Sequence, residues 1–230
     1  MEQTIPNRTG PESRTDKRRA AILEAATEVI AREGLSGTTM ERVAGRAGIS
    51  PGTVTFHFAR KEALLLATLD HVVALFEAGR LAALEAAGDD PARALDALLA
   101  TSLDPKRSNP GQIAVWTAFW GEAKARKLYM QRVGAADRAF HEDLVRLFEA
   151  LLDRNGGDDD APSDLRAEAL ARGFGGLIDG LWQDALEQGR RFDRTQAGAV
   201  ARAYLNAVFP DEPLWQPRAE TASTTKGDAA

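Results

Sequence analysis

The amino-acid sequence predicts an all-α protein with a three-helix head and a larger helical body. Apolar side chains recur at helical spacing along most of the 230 residues, and no segment shows the strict alternation of a β-strand. Glycine, proline and short polar runs separate these periodic segments. Together they predict about nine helices in total.

Composition narrows the class of protein further. A chain of 230 residues with 44% hydrophobic side chains can bury its own core. It contains no cysteine, which excludes a disulfide framework, a thiol nucleophile and cysteine-ligated zinc. The apolar runs are too short to span a bilayer and the polar start does not look like a signal peptide, so we expect a cytoplasmic protein.

The first helix is predicted from about Thr15 to Glu33, and it ends at Gly34. It follows an N-terminal arm, residues 1–14, that we expect to be flexible because it is polar and rich in helix breakers. The apolar face of this helix consists of Ile22, Leu23, Ala26, Val29 and Ile30.

The segment from Thr38 to Phe58 predicts two short helices joined by a tight turn. Thr38 and Glu41 have capping-box spacing, which places the first helix start at Thr38. Gly48 can adopt the left-handed conformation that ends a helix, and Ser50-Pro51 supplies an N-cap with a first-turn proline. The apolar face of the first helix is Met40, Val43, Ala44 and Ala47. Such a corner is typical of a helix-turn-helix.

The second short helix has an outer face suited to a DNA groove. Val54 and Phe58 lie one turn apart and must share the inward face. Gly52 then leaves room for close approach of the backbone, and the ring of Phe56 can touch a thymine methyl. Thr53 and Thr55 add hydroxyls and methyls to this face. A corner in an unrelated helical fold is the alternative interpretation of the same pattern.

Charge is divided unevenly along the chain. The formal net charge is −5, yet residues 1–62 carry a net +2 and the remainder −7. Basic side chains open the first helix and follow the second short helix, where they can meet phosphates on either side of one groove. They are Arg14, Lys17, Arg18, Arg19, Arg60 and Lys61. The alternative is that these charges only solvate helix ends.

The remaining helices are predicted from periodicity and breaks, with a head over residues 15–62, a body over 63–209 and a disordered tail over 210–230. An exposed loop is expected at 155–160, where the sequence is Asn-Gly-Gly-Asp-Asp-Asp. The predicted body helices are Lys61–Ala86, a segment from Pro91 to about Leu103, Gln112 to about Ala125, Leu128–Asp153, Ser163–Gln188, and Asp193 or Thr195 to Val208.

With these motifs, the chain resembles the TetR family of transcriptional regulators. The residues that match the family pattern are Gly34, Thr39, Val43, Ala44, Ala47, Gly48, Ser50, Phe58, Lys61 and Glu62. The resemblance implies a dimer that binds operator DNA and a small-molecule effector, and it departs where members often carry tyrosine and this chain has Thr55. The helix geometry, the charges and the resemblance together predict DNA contacts by Arg18, Thr39, Ser50, Pro51, Gly52, Thr53, Thr55, Phe56, His57 and Lys61.

The body resembles that of the BetI-type repressors, which respond to choline. The matching pieces are Trp116, Ala118-Phe119-Trp120, Leu128-Tyr129, Leu177 to Trp182, Gly189 and Phe192-Asp193. The resemblance implies an effector that is choline or another quaternary amine and release of a repressor from its operator.

Aromatic residues cluster in the body independently of that resemblance. Trp116 and Trp120 lie one turn apart with Phe119 beside them, and Asp179 precedes Trp182 by one turn. Aromatic faces attract quaternary ammonium groups, and a carboxylate in an apolar segment needs either a protein partner or a cationic ligand. We therefore predict a ligand site of Trp116, Phe119, Trp120, Asp179 and Trp182; the alternatives are plain core aromatics and an Asp179 bonded within the protein.

The need for sequence-specific DNA binding also predicts a dimer. One short helix reads too few base pairs, whereas a two-fold pair reads half-sites about 34 to 36 Å apart. Glycines at 173, 175, 176 and 180 permit close approach of another helix; the alternative is that they only weaken their own helix. The ligand is expected to act by a population shift that changes the separation, in the dimer, of the two copies of the second short helix, which we call the recognition helix.

Three other functions are considered. A helical enzyme is disfavoured because His57, His71 and His141 are far apart and no metal-ligand or nucleophile–base spacing appears; no cofactor is expected. A DNA-binding or scaffold protein without a ligand stays open. Within the regulators, the runner-up is a sensor of amphipathic compounds that controls a drug efflux pump.

Overall fold

The computed structural model describes residues 14–121, 123–155 and 163–216, and over these residues it contains helices and no strand. The predicted all-α class is confirmed. The arm before residue 14, the core of the loop predicted at 155–160 and the end of the tail lie outside the described residues. The helices are α1 (Arg14–Gly37), α2 (Met40–Ala47), α3 (Pro51–His57), α4 (Lys61–Ala87), α5 (Pro91–Ser102), α6 (Pro110–Gly121), α7 (Ala123–Arg154), α8 (Ser163–Gln188) and α9 (Arg194–Val208).

Helices α1 to α3 form the head, and local signals define their ends. Gly34 breaks the helical geometry of α1 with φ 69°, as predicted, and a further turn continues to Gly37. Gly48 ends α2 in the left-handed conformation, with φ 66° and ψ 34°. Ser50 caps α3 by accepting from the Thr53 N–H, and Pro51 occupies the first turn. The predicted helix-turn-helix is therefore present.

The predicted capping box at Thr38 is wrong by one residue. Thr38 is buried, and its hydroxyl donates to the Gly34 carbonyl at 2.7 Å. The N-cap of α2 is Thr39, whose hydroxyl accepts from the Arg42 N–H at 3.2 Å. Either of the two adjacent threonines could serve as the N-cap. Thr38 does not, because its hydroxyl is already bonded to the backbone of α1 at Gly34.

The head has a compact apolar core. The inner faces predicted for the first helix and the recognition helix are both buried, with Val54 fully inaccessible to solvent. Leu64 from the first turn of α4 completes this core, so the head is not closed without the linking helix. The main buried members are Ile22, Leu23, Ala26, Val29, Val43, Ala44, Val54, Phe58 and Leu64.

A second apolar group, which we call the head–body cluster, joins the two parts of the chain. It combines residues from the end of α1, the middle of α4, and helices α6 and α7. Helix α4 thus has its first turn in the head core and its middle in contact with the body. The buried members are Ile30, Leu35, Leu69, Val72, Phe76, Val115, Trp116, Phe119 and Val133.

The body core lies between α5, α7, α8 and α9. Phe148 and Phe174 are its largest fully buried side chains, and their rings meet edge to face at 6.0 Å between centroids. The boundary between α6 and α7 differs from the prediction, since α6 ends at Gly121 rather than near Ala125. Glycine is a weak helix former, which favours an end at that position.

The start of the predicted disordered tail packs against the body. Trp215 is only 4% exposed, and its ring lies 6.2 Å from that of Phe209. Glu212 is buried and pairs with Arg154. Burial of one large aromatic side chain outweighs the polar character of its neighbours, so the expectation of disorder is wrong for residues 210–216.

Candidate DNA interface and effector cavity

Helix α3 presents the outer face that the sequence predicts. Pro51, Gly52, Thr55 and Phe56 are exposed, whereas Val54 points into the head core. Phe56 is 82% exposed, more than any other large apolar side chain over the described part of the chain. Its ring meets that of His57 in an edge-to-face arrangement, with 5.4 Å between the ring centroids.

Hydroxyl groups on and around α3 are partly committed within the protein. The Thr55 hydroxyl donates to the Pro51 carbonyl at 3.1 Å. The Ser50 and Thr53 hydroxyl oxygens are 2.9 Å apart, so one of their two hydrogens is used between them. These groups keep acceptor capacity, but few free donors remain on this surface.

The other predicted DNA contacts lie around this helix. Arg18 is exposed on α1, and His57 and Thr39 are half-buried. The Lys61 ammonium donates to the Ser36 carbonyl at 2.8 Å, which ties the start of α4 to the segment before α2. Arg19 lies over the Phe58 ring at 5.0 Å and so joins α1 to the end of α3.

A cavity of about 550 Å³, open on one side, lies in the body between α4, α6, α7 and α8. Aromatic rings form much of its wall, and two carboxylates face it. Its principal lining residues are Phe76, Trp116, Trp120, Asp137, Phe140, His141, Arg172, Asp179 and Trp182.

Four of the five predicted ligand residues meet in this cavity, namely Trp116, Trp120, Asp179 and Trp182. Phe119 does not line it. This side chain is 3% exposed and belongs to the head–body cluster. Trp116 and Trp120 share a face at four-residue spacing, while an adjacent position turns about 100° away, so the assignment of Phe119 to the ligand site is corrected.

Phe76 of α4 is the centre of the aromatic wall. Its ring centroid lies 5.5 Å from Phe140, 5.8 Å from Trp182 and 6.1 Å from Trp116, each in an edge-to-face arrangement. The Trp182 indole N–H donates to the Ser102 carbonyl at 2.8 Å, which fixes that ring against the end of α5. The wall is therefore pre-organised.

Asp137 is the cavity residue that sequence reasoning missed. Asp137 is an exposed residue that lies against the cavity, where partial desolvation, followed by the charges of Asp179 and Glu77, raises its pKa to about 6. Asp179 is also exposed, rather than enclosed by the apolar segment around it, and partial desolvation at the cavity raises its pKa. A signal was present, because Asp137 interrupts the apolar stripe of Val133, Phe140 and Leu144 on α7.

Beyond the cavity, α4 is held to the body by a buried guanidinium. Arg80 is 8% exposed and bonds both carboxylate oxygens of Glu77 at 3.0 Å. It also pairs with Asp143 of α7. These carboxylates raise the pKa of Arg80, so the charged form is the stable one. Arg80 lies one turn beyond Phe76 and fixes α4 against α7 at the cavity.

The glycines of α8 fall into two groups. A side chain at Gly173 would place its Cβ 2.9 Å from the Tyr204 hydroxyl oxygen, so this glycine allows the approach of α9 within the chain. Gly175, Gly176 and Gly180 face open space. Gly175 and Gly176 also lie on the cavity wall.

A helix-turn-helix head joined to a helical body is the architecture of a class of transcriptional regulators. The first part, residues 22–68, matches the model for bacterial regulatory proteins of the tetR family. Residues 91–210 match the model for the C-terminal part of BetI-type transcriptional repressors. The chain belongs to the TetR family of transcriptional regulators and has a BetI-type body; these are regulators rather than enzymes.

Individual relatives agree with this assignment. The HTH-type transcriptional regulator BetI of Burkholderia mallei is 32% identical over 192 residues, covering 84% of this chain and 93% of that protein. The regulator of the same name from Paraburkholderia xenovorans is 31% identical, with coverage of 84% and 93%.

Solved structures show the same architecture. A transcriptional regulator from Saccharomonospora viridis in complex with choline superposes with a TM-score of 0.62 at 25% identity, over 83% of this chain and 96% of that one. A regulator from Pseudomonas aeruginosa gives a TM-score of 0.65 at 22% identity, with coverage of 89% and 94%. Among the helices described for this chain, none has the length and apolar character required to cross a membrane.

Proposed function

We propose that this chain is a dimeric repressor that binds a palindromic operator and is released from it by a small cationic effector, choline or another quaternary amine. The observation that carries the effector class is the cavity, in which aromatic rings and two carboxylates face the same space. Aromatic faces and carboxylates attract a cation that needs no hydrogen bonds.

The two carboxylates strengthen this inference. Asp137 on α7 and Asp179 on α8 are close enough that the charge of Asp179 raises the pKa of Asp137. A bound cation relieves this repulsion and compensates the desolvation of both groups, so it gains more here than in a purely aromatic cage. The choline complex of the structural neighbour from Saccharomonospora viridis supports the same class of ligand.

Release from DNA follows from the position of α4. Leu64 at its start is buried in the head core, and Phe76, three turns later, contacts the cavity. A ligand that displaces Phe76 changes the orientation of the head, and through it the separation of the two recognition helices in a dimer. A nearly complete shift needs a differential affinity of about 5 kcal/mol.

The dimer is proposed from the outer face of α8 and α9. Gly176 and Gly180 are exposed on α8 with open space above them, and Val200, Ala203 and Ala207 are exposed on α9. Small side chains on two adjacent helices let a second copy approach closely and form a four-helix contact. A pair of recognition helices then reads two half-sites about 34 to 36 Å apart, or a multiple of that spacing.

The alternative effector class is an amphipathic drug, with control of an efflux pump. The size of the cavity favours it, because about 550 Å³ lies in the range of sites for drug-sized ligands, roughly 300 to 1,000 Å³. The carboxylates favour a cation in either case. The two classes differ in whether the cationic head group alone is sufficient for binding.

The test measures release of the full-length protein from its operator by fluorescence anisotropy, with choline, its neutral carbon isostere 3,3-dimethylbutanol, and a lipophilic cationic dye. We expect choline to release the wild type and the isostere to fail. Asp179→Asn should lose the choline response, while Asp184→Asn, an exposed acid on the same helix outside the cavity, should keep it.

Two results contradict this proposal. Equal release by choline and by its neutral isostere would show that the site does not recognise the positive charge of the effector. An unchanged choline response in both Asp179→Asn and Trp116→Ala would remove the cavity from effector binding; release by the dye alone would favour the efflux-pump alternative. Random competitor DNA tests operator binding itself, which should exceed non-specific binding by roughly 10³-fold or more.

A further inference from the structure

The recognition helix lacks the side chains that usually read bases in pairs of hydrogen bonds. Arginine and lysine read guanine, and asparagine and glutamine read adenine, through bidentate contacts in the major groove. Between Pro51 and His57 the sequence of α3 is Pro-Gly-Thr-Val-Thr-Phe-His, which contains none of these four residue types. Base discrimination by α3 must therefore use other chemistry.

The hydroxyl groups on this helix have few free hydrogens with which to recognise bases. The Thr55 hydroxyl hydrogen is committed to the Pro51 carbonyl, and the Ser50 and Thr53 hydroxyls share a hydrogen between them. Ser50 also accepts from the Thr53 N–H at 3.2 Å, as the N-cap of the helix. The remaining free hydroxyl hydrogen lies at the first turn, where phosphate contacts are usual.

Phe56 is the large group that remains on the outer face. It is 82% exposed, and its only ring contact over the described residues is the edge of His57. Exposure of an apolar ring to water is unfavourable in the free protein. Covering the ring of Phe56 in a complex therefore contributes favourable free energy to binding. Nearby Gly52 and Thr55 are small, so the ring projects beyond its neighbours on the exposed face of α3.

We propose that Phe56 reads thymine through its C5 methyl group, so that each operator half-site carries a thymine facing this ring. The methyl is the one apolar group that base pairs display in the major groove, and its contact with a phenylalanine ring distinguishes thymine without any hydrogen bond. This inference rests on the proposed operator binding by α3 and specifies the chemistry that the helix reads.

The experiment begins with an unbiased selection of operator sequences by the full-length protein. Each thymine of the selected half-site is then replaced by deoxyuridine, which removes only the methyl group and keeps every hydrogen bond. We expect one position at which the substitution weakens binding roughly four-fold in one half-site, and about fifteen-fold when made in both. Thymines elsewhere should tolerate the change.

The same pair of operators is measured with Phe56→Ala, Phe56→Leu and Leu81→Ala. Phe56→Ala should bind both operators equally, Phe56→Leu should retain part of the difference, and Leu81→Ala, an exposed apolar change in the body, should retain all of it. Low salt keeps the weakest complex measurable because phosphate contacts strengthen.

Two outcomes overturn the inference: uracil tolerated at every thymine, or an undiminished preference for thymine in Phe56→Ala. If the selection enriches no sequence, operator binding itself fails instead, so the two failures are distinguishable. Phe56 is exposed, and unchanged circular dichroism and melting temperature verify that its variants are folded.

Discussion

The head and the body of this chain are organised in opposite ways. In the head, α2 and α3 have only 8 and 7 residues, and each begins at a side-chain cap. In the body, α7 runs for 32 residues, and charged groups and edge-to-face aromatic rings line a cavity. The head is thus defined by local signals, whereas the body depends on which long helices meet.

This difference has an energetic side. The head core is apolar, and the buried threonines Thr27, Thr38 and Thr68 beside it each donate to a backbone carbonyl. The cavity of the body leaves Asp137 and Asp179 partly desolvated, which raises the pKa of both carboxyls. Such an arrangement costs stability in the absence of a ligand, and the binding site is where that cost is expected.

The largest expected effect separates a buried body phenylalanine from an exposed head phenylalanine. Phe148→Ala should lower the free energy of unfolding by about 3–5 kcal/mol, because Phe148 is fully buried in the body core. Phe56→Ala, the matched exposed change, should stay within about 0.5 kcal/mol while weakening operator binding. Urea denaturation measures the first quantity and anisotropy the second. Equal losses of stability would contradict the division of roles.

The next effect uses the raised pKa of Asp137. Choline at 100 times its dissociation constant should stabilise the protein by about 2.7 kcal/mol at pH 7.5, measured by thermal shift. The pKa of Asp137 is about 6, so at pH 5 this carboxyl is mostly neutral and the choline affinity should fall. Asp137→Asn should bind choline more weakly at pH 7.5 and lose most of the change between the two pH values.

The same variant reports on stability without ligand. The folded-state pKa of Asp137 lies above its ordinary value of 3.8, so the folded state favours the proton and ionisation is destabilising. Relative to Asp137→Asn, the wild type should lose stability as the pH rises from about 4 to about 6. The comparison with the variant separates this effect from the titration of every other group in the protein. A variant less stable than the wild type at pH 7.5 would contradict the desolvation of Asp137.

The smallest effects concern the helix caps. Thr39→Ala and Ser50→Ala should each cost about 1 kcal/mol, because each hydroxyl accepts a hydrogen bond from an N–H in the first turn of its helix. Thr39→Ser keeps the hydroxyl and should cost little. In the body, Asp90→Ala removes the corresponding cap of α5 and should cost a similar amount. Thr38→Ala should remove the hydrogen bond to the Gly34 carbonyl and leave the N-cap of α2 at Thr39 intact. This variant would therefore distinguish the roles of the two threonines.

Much of the fold could be predicted from periodicity and breaks. The sequence predicts the bounds of α8 without error and leaves the start of the last helix open between Asp193 and Thr195; the structure makes Asp193 its N-cap. Two features were misplaced, for different reasons. Thr39 rather than Thr38 is the cap because adjacent threonines compete and Thr38 bonds to Gly34. Trp215 is buried because it packs against the body core, which its polar sequence neighbours do not indicate.

The cavity shows the same limit more clearly. Trp116, Trp120, Asp179 and Trp182 were recognised as unusual from their own helices. Asp137 and Phe76 were not recognised, because the sequence of one helix does not show which cavity a carboxylate or a ring on that helix will face. Only the crossing of α4, α6, α7 and α8 brings them together.

The sequence by itself determined the helices, the helix-turn-helix corner and the exposed face of α3, because capping, glycine conformation and helical periodicity act over a few residues. Only the tertiary structure decided which aromatic rings line the cavity, which carboxylates share it and that Phe119 belongs to the head–body cluster instead. The physical reason is that burial and desolvation depend on the packing of helices far apart in sequence, and a single helix cannot specify its partners.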